Sequence, residues 1–136
     1  VFRIYEMSKI LGVDFGKSRI GVALGEEGYV EPLKIISGKS WKEFVNELKK
    51  IIEENEISCI VLGSPAVESS PEVKKFCEFL SKNVSIKVVN WDESFTSKEA
   101  LEYAVKAGYS RRRRRHLDDL SASLLLERYY EETGCS

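Results

Sequence analysis

A chain of 136 residues is long enough to bury a sizeable core, and its 43% hydrophobic and 32% charged residues exclude a disordered segment. Its apolar runs are only a few residues long, which excludes a membrane-spanning helix; three cysteines without close spacing and a single histidine exclude a disulfide framework, a zinc site and a histidine-rich metal centre. The net charge of -1 is unremarkable, but Arg111, Arg112, Arg113, Arg114 and Arg115 are consecutive, so one short stretch concentrates positive charge on an otherwise acidic chain.

In chain order, residues 1–8 read as an N-terminal extension without the apolar centre of a secretory signal, and the expected compartment is the cytoplasm. Ile10 to Asp14 is an apolar run ending in an acid, Arg19 to Leu24 follows a Gly-containing turn, and Tyr29 to Ile36 follows Gly25 and Gly28. These connections are too short for crossover helices, so the three strands are predicted to form an antiparallel meander. Ser40-x-x-Glu43 is a capping box, followed at helical spacing by Trp41, Phe44, Val45, Leu48, Ile51 and Ile52. Cys59 to Leu62 reads as a short buried strand ending at Gly63-Ser64-Pro65. Ser70 and Pro71 open a second helix with Val73, Phe76, Cys77 and Leu80 on its inner face. Ile86 to Trp91 is a further strand, Thr96-x-x-Glu99 caps a third helix ending near Gly108, and a last helix runs from about Leu117 to Glu132. The order βββ-α-β-α-β-α-α predicts a single α/β domain over 1–136. Three antiparallel strands and then parallel strands form one mixed five-stranded sheet, with helices on both faces. Cys59 and Cys77 are expected to be small buried hydrophobes.

Carboxylates carry the candidate chemistry. Asp14 ends an apolar strand, where an acid reaches into a cleft at the sheet edge; its bland alternative is a turn cap. Asp92 and Glu93 close the strand before the third helix, and since adjacent residues of an extended chain point to opposite sides, one of the two faces that cleft. Asp118 and Asp119 lie in the first turn of the last helix, where acids also serve the helix dipole. Asp118 aligns with Ala122, Leu125 and Tyr129 and is expected to face the sheet, whereas Asp119 aligns with Ser123 on what reads as the polar side. Carboxylates on separate element ends suit magnesium, or manganese, as one ion or two, and two ions about 4 Å apart promote phosphodiester hydrolysis. The arginine run, ending at His116 just before Asp118, suits phosphate binding, with Lys17 and Arg19 as further nucleic-acid contacts; a solvated loop is the alternative. At Gly63 the missing side chain suits either a phosphate or a plain turn.

The stretch Ile10-Leu-Gly-Val-Asp-Phe-Gly-Lys-Ser-Arg-Ile-Gly-Val-Ala-Leu24 resembles the opening of the YqgF family, also called RuvX-like or Holliday-junction-resolvase-like proteins. Ile60-Val-Leu-Gly-Ser-Pro65, Trp91-Asp-Glu-Ser-Phe-Thr-Ser-Lys-Glu-Ala100 and His116-Leu-Asp-Asp-Leu-Ser-Ala122 resemble later family segments in the same order. The resemblance covers nearly all of the chain beyond Met7. It implies an RNase H-like fold and a nuclease maturing the 5′ end of precursor 16S ribosomal RNA, or else acting on branched DNA. Carried over by position, the family's acids fall on Asp14, Glu93 and Asp118, which selects Glu93 over Asp92, and its basic stretch falls on Arg111 to Arg115. Ser94 stands where the family commonly has arginine, and the 66–70 loop lacks its usual glycine.

Two other classes compete. An actin-like or sugar-kinase-like ATPase shares the Asp14-Phe-Gly turn but needs two lobes. A non-catalytic nucleic-acid-binding module would keep the arginines and have a degenerate acidic site.

Overall fold

The structure is a computed structural model that describes residues 9–16, 19–38, 40–63, 71–91, 97–106, 108 and 117–133, with backbone alone at 97–100, 104 and 117–119. Its elements are β1 (Lys9–Phe15), β2 (Arg19–Glu26), β3 (Tyr29–Ser37), α1 (Trp41–Asn55), β4 (Ile57–Gly63), α2 (Pro71–Asn83), β5 (Lys87–Asn90), α3 (Ser97–Lys106) and α4 (Leu117–Thr133). They follow the order that hydrophobic periodicity predicts. One five-stranded sheet runs β3-β2-β1-β4-β5, antiparallel through β1, β2 and β3, with β1, β4 and β5 parallel.

Local chemistry accounts for the turns. Glu27 (φ 50°) and Gly28 (φ 88°) form a two-residue hairpin between β2 and β3, and positive φ at both positions matches the right-handed strand twist. β3 is an edge strand, and Pro32 is tolerated there beside an irregularity in its pairing with β2 at Val22/Ala23. The Ser40 hydroxyl accepts the Glu43 N–H at 3.3 Å and donates to Glu43 Oε1 at 3.3 Å, so Ser40 caps α1. Ser40→Ala is expected to cost about 1 kcal/mol, read as a shift in urea midpoint at unchanged m.

The sheet separates two cores. On one face Leu11, Val13 and Phe15 of β1, with Ile20, Val22 and Leu24 of β2 and Ile60 and Leu62 of β4, pack against Phe44, Val45, Leu48 and Ile51 of α1 and Val73, Phe76 and Leu80 of α2. Trp41 and Phe79 lean on this core, and burial pushes the Cys77 thiol up, so it stays protonated as a half-buried hydrophobe. On the other face Ala23 and Val61 meet Ala122, Leu124, Leu125 and Leu126 of α4, with Ile10, Val30, Trp91, Tyr103 and Tyr129 against them. No helix among the described residues is long and apolar enough to cross a membrane.

One expectation fails in α4. The helix does not keep a polar side along its first half: Ser123 is fully buried and Ser121 nearly so, as are Leu120, Ala122, Leu124, Leu125 and Leu126. It packs against the sheet and against α3.

Candidate active site

β1, β4 and β5 are parallel, so their C-terminal ends share one edge of the sheet. Asp14 lies there, on the face that carries α4, because Leu11, Val13 and Phe15 take the opposite face. Its carboxylate is 8% exposed, and a buried charge is expensive unless compensated. Both in-register neighbours are glycines, Gly21 on β2 and Gly63 on β4, so no cross-strand side chain crowds the carboxylate within the sheet.

α4 approaches this edge closely because the sheet beneath it lacks side chains. A Cβ built on Gly12 would lie 2.5 Å from Leu126 Cγ and 3.1 Å from the Ala122 carbonyl oxygen. At Gly25 it would lie 2.7 Å from the Tyr130 hydroxyl, and Gly25 pairs with Ile10. Thus α4 runs antiparallel to β1. Two residues along a strand cover about 6.7 Å and one helical turn about 5.4 Å. The turn over Gly12 is 122–126, so the preceding turn, which starts at Asp118, passes the level of Asp14. The N-terminal end of α4 carries partial positive charge, which favours anions at this edge.

The expected site residues divide as follows. Asp14 has a described, buried side chain. Asp118 and Asp119 are placed by backbone in the first turn of α4, their side chains lying outside the described residues. The face argument that favoured Asp118 over Asp119 loses force here, because the Ser123 side that aligns with Asp119 is buried too. Arg19 is the exposed first residue of β2, and alternation from Gly21 puts it on the face of Asp14. Glu93, Lys17, Ser94 and Arg111 to Arg115 lie outside the described residues. Among the described residues no three His, Cys, Asp or Glu are grouped to hold a metal.

Two features were not anticipated. Gly63 faces α4: a Cβ there would lie 2.8 Å from Leu125 Cδ1 and 3.1 Å from the Trp91 carbonyl oxygen, so its bareness serves helix packing. Trp91, whose N–H donates to the Leu62 carbonyl at 2.7 Å, packs edge-on against Tyr129 with ring centroids 5.3 Å apart. A groove between β3 and α1, lined by Lys34, Asn46, Glu47 and Lys50 among others, is mixed in charge.

A model of the family described as "RuvX: Holliday junction resolvase" matches residues 8–132. The chain belongs to the RuvX family. A relative from Syntrophus aciditrophicus (strain SB), named "Putative pre-16S rRNA nuclease", is 36% identical over 132 residues, covering 90% of this chain and 88% of its own length. One of the same name from Carboxydothermus hydrogenoformans is 37% identical over 130 residues, covering 89% and 94%. Among solved structures, the fowlpox virus resolvase in complex with Holliday junction DNA superposes with a TM-score of 0.61 at 17% identity, covering 94% of this chain and 99% of that one. Thermus thermophilus RuvC in complex with a Holliday junction substrate gives 0.52 at 15% identity, covering 94% and 97%. At such identities these two establish the shared RNase H-like fold. The RuvX family and its relatives make this chain a nuclease by descent, in keeping with the sequence resemblance.

Proposed function

We propose that this RuvX-family chain is a divalent-metal-dependent nuclease that hydrolyses phosphodiester bonds in structured RNA, and that it matures the 5′ end of precursor 16S ribosomal RNA in the cytoplasm. The buried Asp14 at the shared strand edge, beneath the first turn of α4, carries the proposal. The names of the relatives favour RNA, while the family description keeps the four-way DNA junction as the alternative substrate.

Asp14, Glu93 and Asp118 would hold the ion. Two aspartates and a glutamate form an all-oxygen donor set, which fits magnesium or manganese and suits zinc or copper poorly. Gly21, in register with Asp14, has no side chain to compete with an ion there. Glu93 is taken over Asp92 on the family resemblance. When bound, the ion supplies Lewis-acid activation of water and stabilisation of the leaving oxygen. Asp14 stands at the end of β1 and Asp118 in the first turn of α4, and Arg111 to Arg115, Lys17 and Arg19 would hold backbone phosphates.

Incubation with precursor 16S ribosomal RNA and, separately, a four-way DNA junction tests the substrate. Magnesium-dependent cleavage of the RNA at its 5′ side, with an intact junction, is the expected result; the reverse pattern makes the protein a resolvase, and RNA binding without any cleavage makes it a binding module. Replacing Arg111 to Arg115 together by glutamine is expected to lower the slope of log affinity against log salt by about 3.5 to 4.5, since each lost phosphate contact removes about 0.7 to 0.9. An unchanged slope would mean the run is a solvated loop.

A further inference from the structure

Gly12 is two residues before Asp14 on the same face of β1, and no catalytic chemistry is available to it. Its backbone nevertheless lies close under α4: the atoms a Cβ would meet are Leu126 Cγ at 2.5 Å, Leu126 Cδ1 at 3.0 Å and the Ala122 carbonyl oxygen at 3.1 Å. The last of these is main chain, so a methyl group at Gly12 cannot be accommodated by a rotamer change alone. Leu126 is fully buried, and the apolar residues around it, Ala122, Leu125 and Val61, are buried as well. Relief must therefore come from lifting α4, and interiors this closely packed transmit such a shift. Ala122 is one turn from Asp118, so the turn that would be lifted adjoins the one that carries that acid.

We propose that Gly12 is a positioning residue for the metal-holding carboxylates: its missing side chain seats α4 against β1 at the height that sets the separation of Asp14 and Asp118. This rests on the reading of those two acids as joint holders of the ion. Gly63 repeats the arrangement on β4, where Leu125 fills the space.

The test compares wild type, Gly12→Ala, Leu126→Ala and the double variant. Three quantities are measured: kcat and KM on precursor RNA, Mn2+ affinity by calorimetry, and metal-free melting temperature. Gly12→Ala is expected to lose about 100-fold in kcat, as a misplacement near 1 Å does, with KM within about threefold. Its Mn2+ affinity is expected to weaken by about 10-fold or more, the scale seen when ligand-orienting groups are lost. The double variant removes both the added clash and a buried leucine. It is expected to regain about tenfold or more of the lost kcat, and to bind Mn2+ more tightly than Gly12→Ala, while melting lower.

A merely structural role predicts the opposite order, with rate following melting temperature, and that result overturns the inference. Wild-type kcat and Mn2+ affinity in Gly12→Ala also overturn it. If Gly12→Ala fails to fold, Gly63→Ala with and without Leu125→Ala repeats the design at a seat whose nearest contact is a flexible side-chain tip. If wild type cleaves no RNA but binds Mn2+, the affinity measurement decides alone. Loss of Mn2+ binding in Asp14→Asn with retention in Gly12→Ala defeats this inference only. Retention in both Asp14→Asn and Asp118→Asn, or no Mn2+ binding by wild type, defeats the carboxylate reading beneath it.

Discussion

Asp14→Asn is expected to lower magnesium-dependent cleavage by about 1000-fold while leaving the metal-free fold intact. A metal ion contributes several kcal/mol of transition-state stabilisation, and each 1.36 kcal/mol is a factor of ten, so losing a main ligand costs roughly that much rate. Asparagine has nearly the same shape, so the packing of Gly12, Gly21 and Gly63 around position 14 is undisturbed. The metal-free melting temperature should therefore stay close to the wild-type value. Added magnesium stabilises wild type by mass action and should no longer stabilise the variant. Activity equal to wild type would remove Asp14 from the mechanism. A large drop in the metal-free melting temperature would make it a structural group instead.

Phe76→Ala is expected to cost about 3–5 kcal/mol, a large fraction of the roughly 5–15 kcal/mol of a typical domain. Phe76 is fully buried, with its ring stacked on Phe15 at 4.6 Å and edge-on to Trp41 at 5.5 Å and to Phe44 at 6.5 Å. Removing it opens a cavity where β1, α1 and α2 meet, and aromatic pairs add roughly 0.5–1.5 kcal/mol each beyond burial. At this chain length the melting temperature should fall by about 10–20 °C. Phe15 is the residue after Asp14, so loosening its stacking partner should also reduce cleavage well below the melting transition. A loss under about 1 kcal/mol in urea would show that the α1/α2 side repacks, contrary to the close packing described.

What sequence patterns reveal and hide follows from their physical basis. The β1–β2–β3 meander was legible because each strand alternates or runs apolar and because the Glu27-Gly28 turn is too short for anything but a hairpin. The Ser40 cap of α1 and the Pro71 start of α2 were legible because they are local chemistry, needing no distant partner. β4 and β5 were placed to within a few residues. α4 was misread on one point, since helical periodicity presumes a wet side, and the buried Ser121 and Ser123 deny it one. Serines on a helix look solvent-facing until other elements cover them, and nothing local announces that cover.

The candidate site was legible in part for the same reason. Asp14 stands out because an acid closes an apolar run, and the family resemblance supplied Glu93 and Asp118. The roles of Gly12 and Gly63 were hidden. Each reads as a turn or strand glycine, while the reason for each lies on a helix more than sixty residues away in the chain. A run of small residues on one face of a strand (Gly12 on β1, Gly21, Ala23 and Gly25 on β2) could have pointed to a closely seated helix. It could not have said which one.

Anomalous diffraction from crystals grown with Mn2+ addresses the central claim most directly. The carboxylates of Asp14, Glu93 and Asp118 are expected to surround one or two peaks, with ligand oxygens at roughly 2.1 Å. A fully occupied Mn2+ elsewhere, or the side chains of these three residues lying too far apart to share an ion, would contradict it.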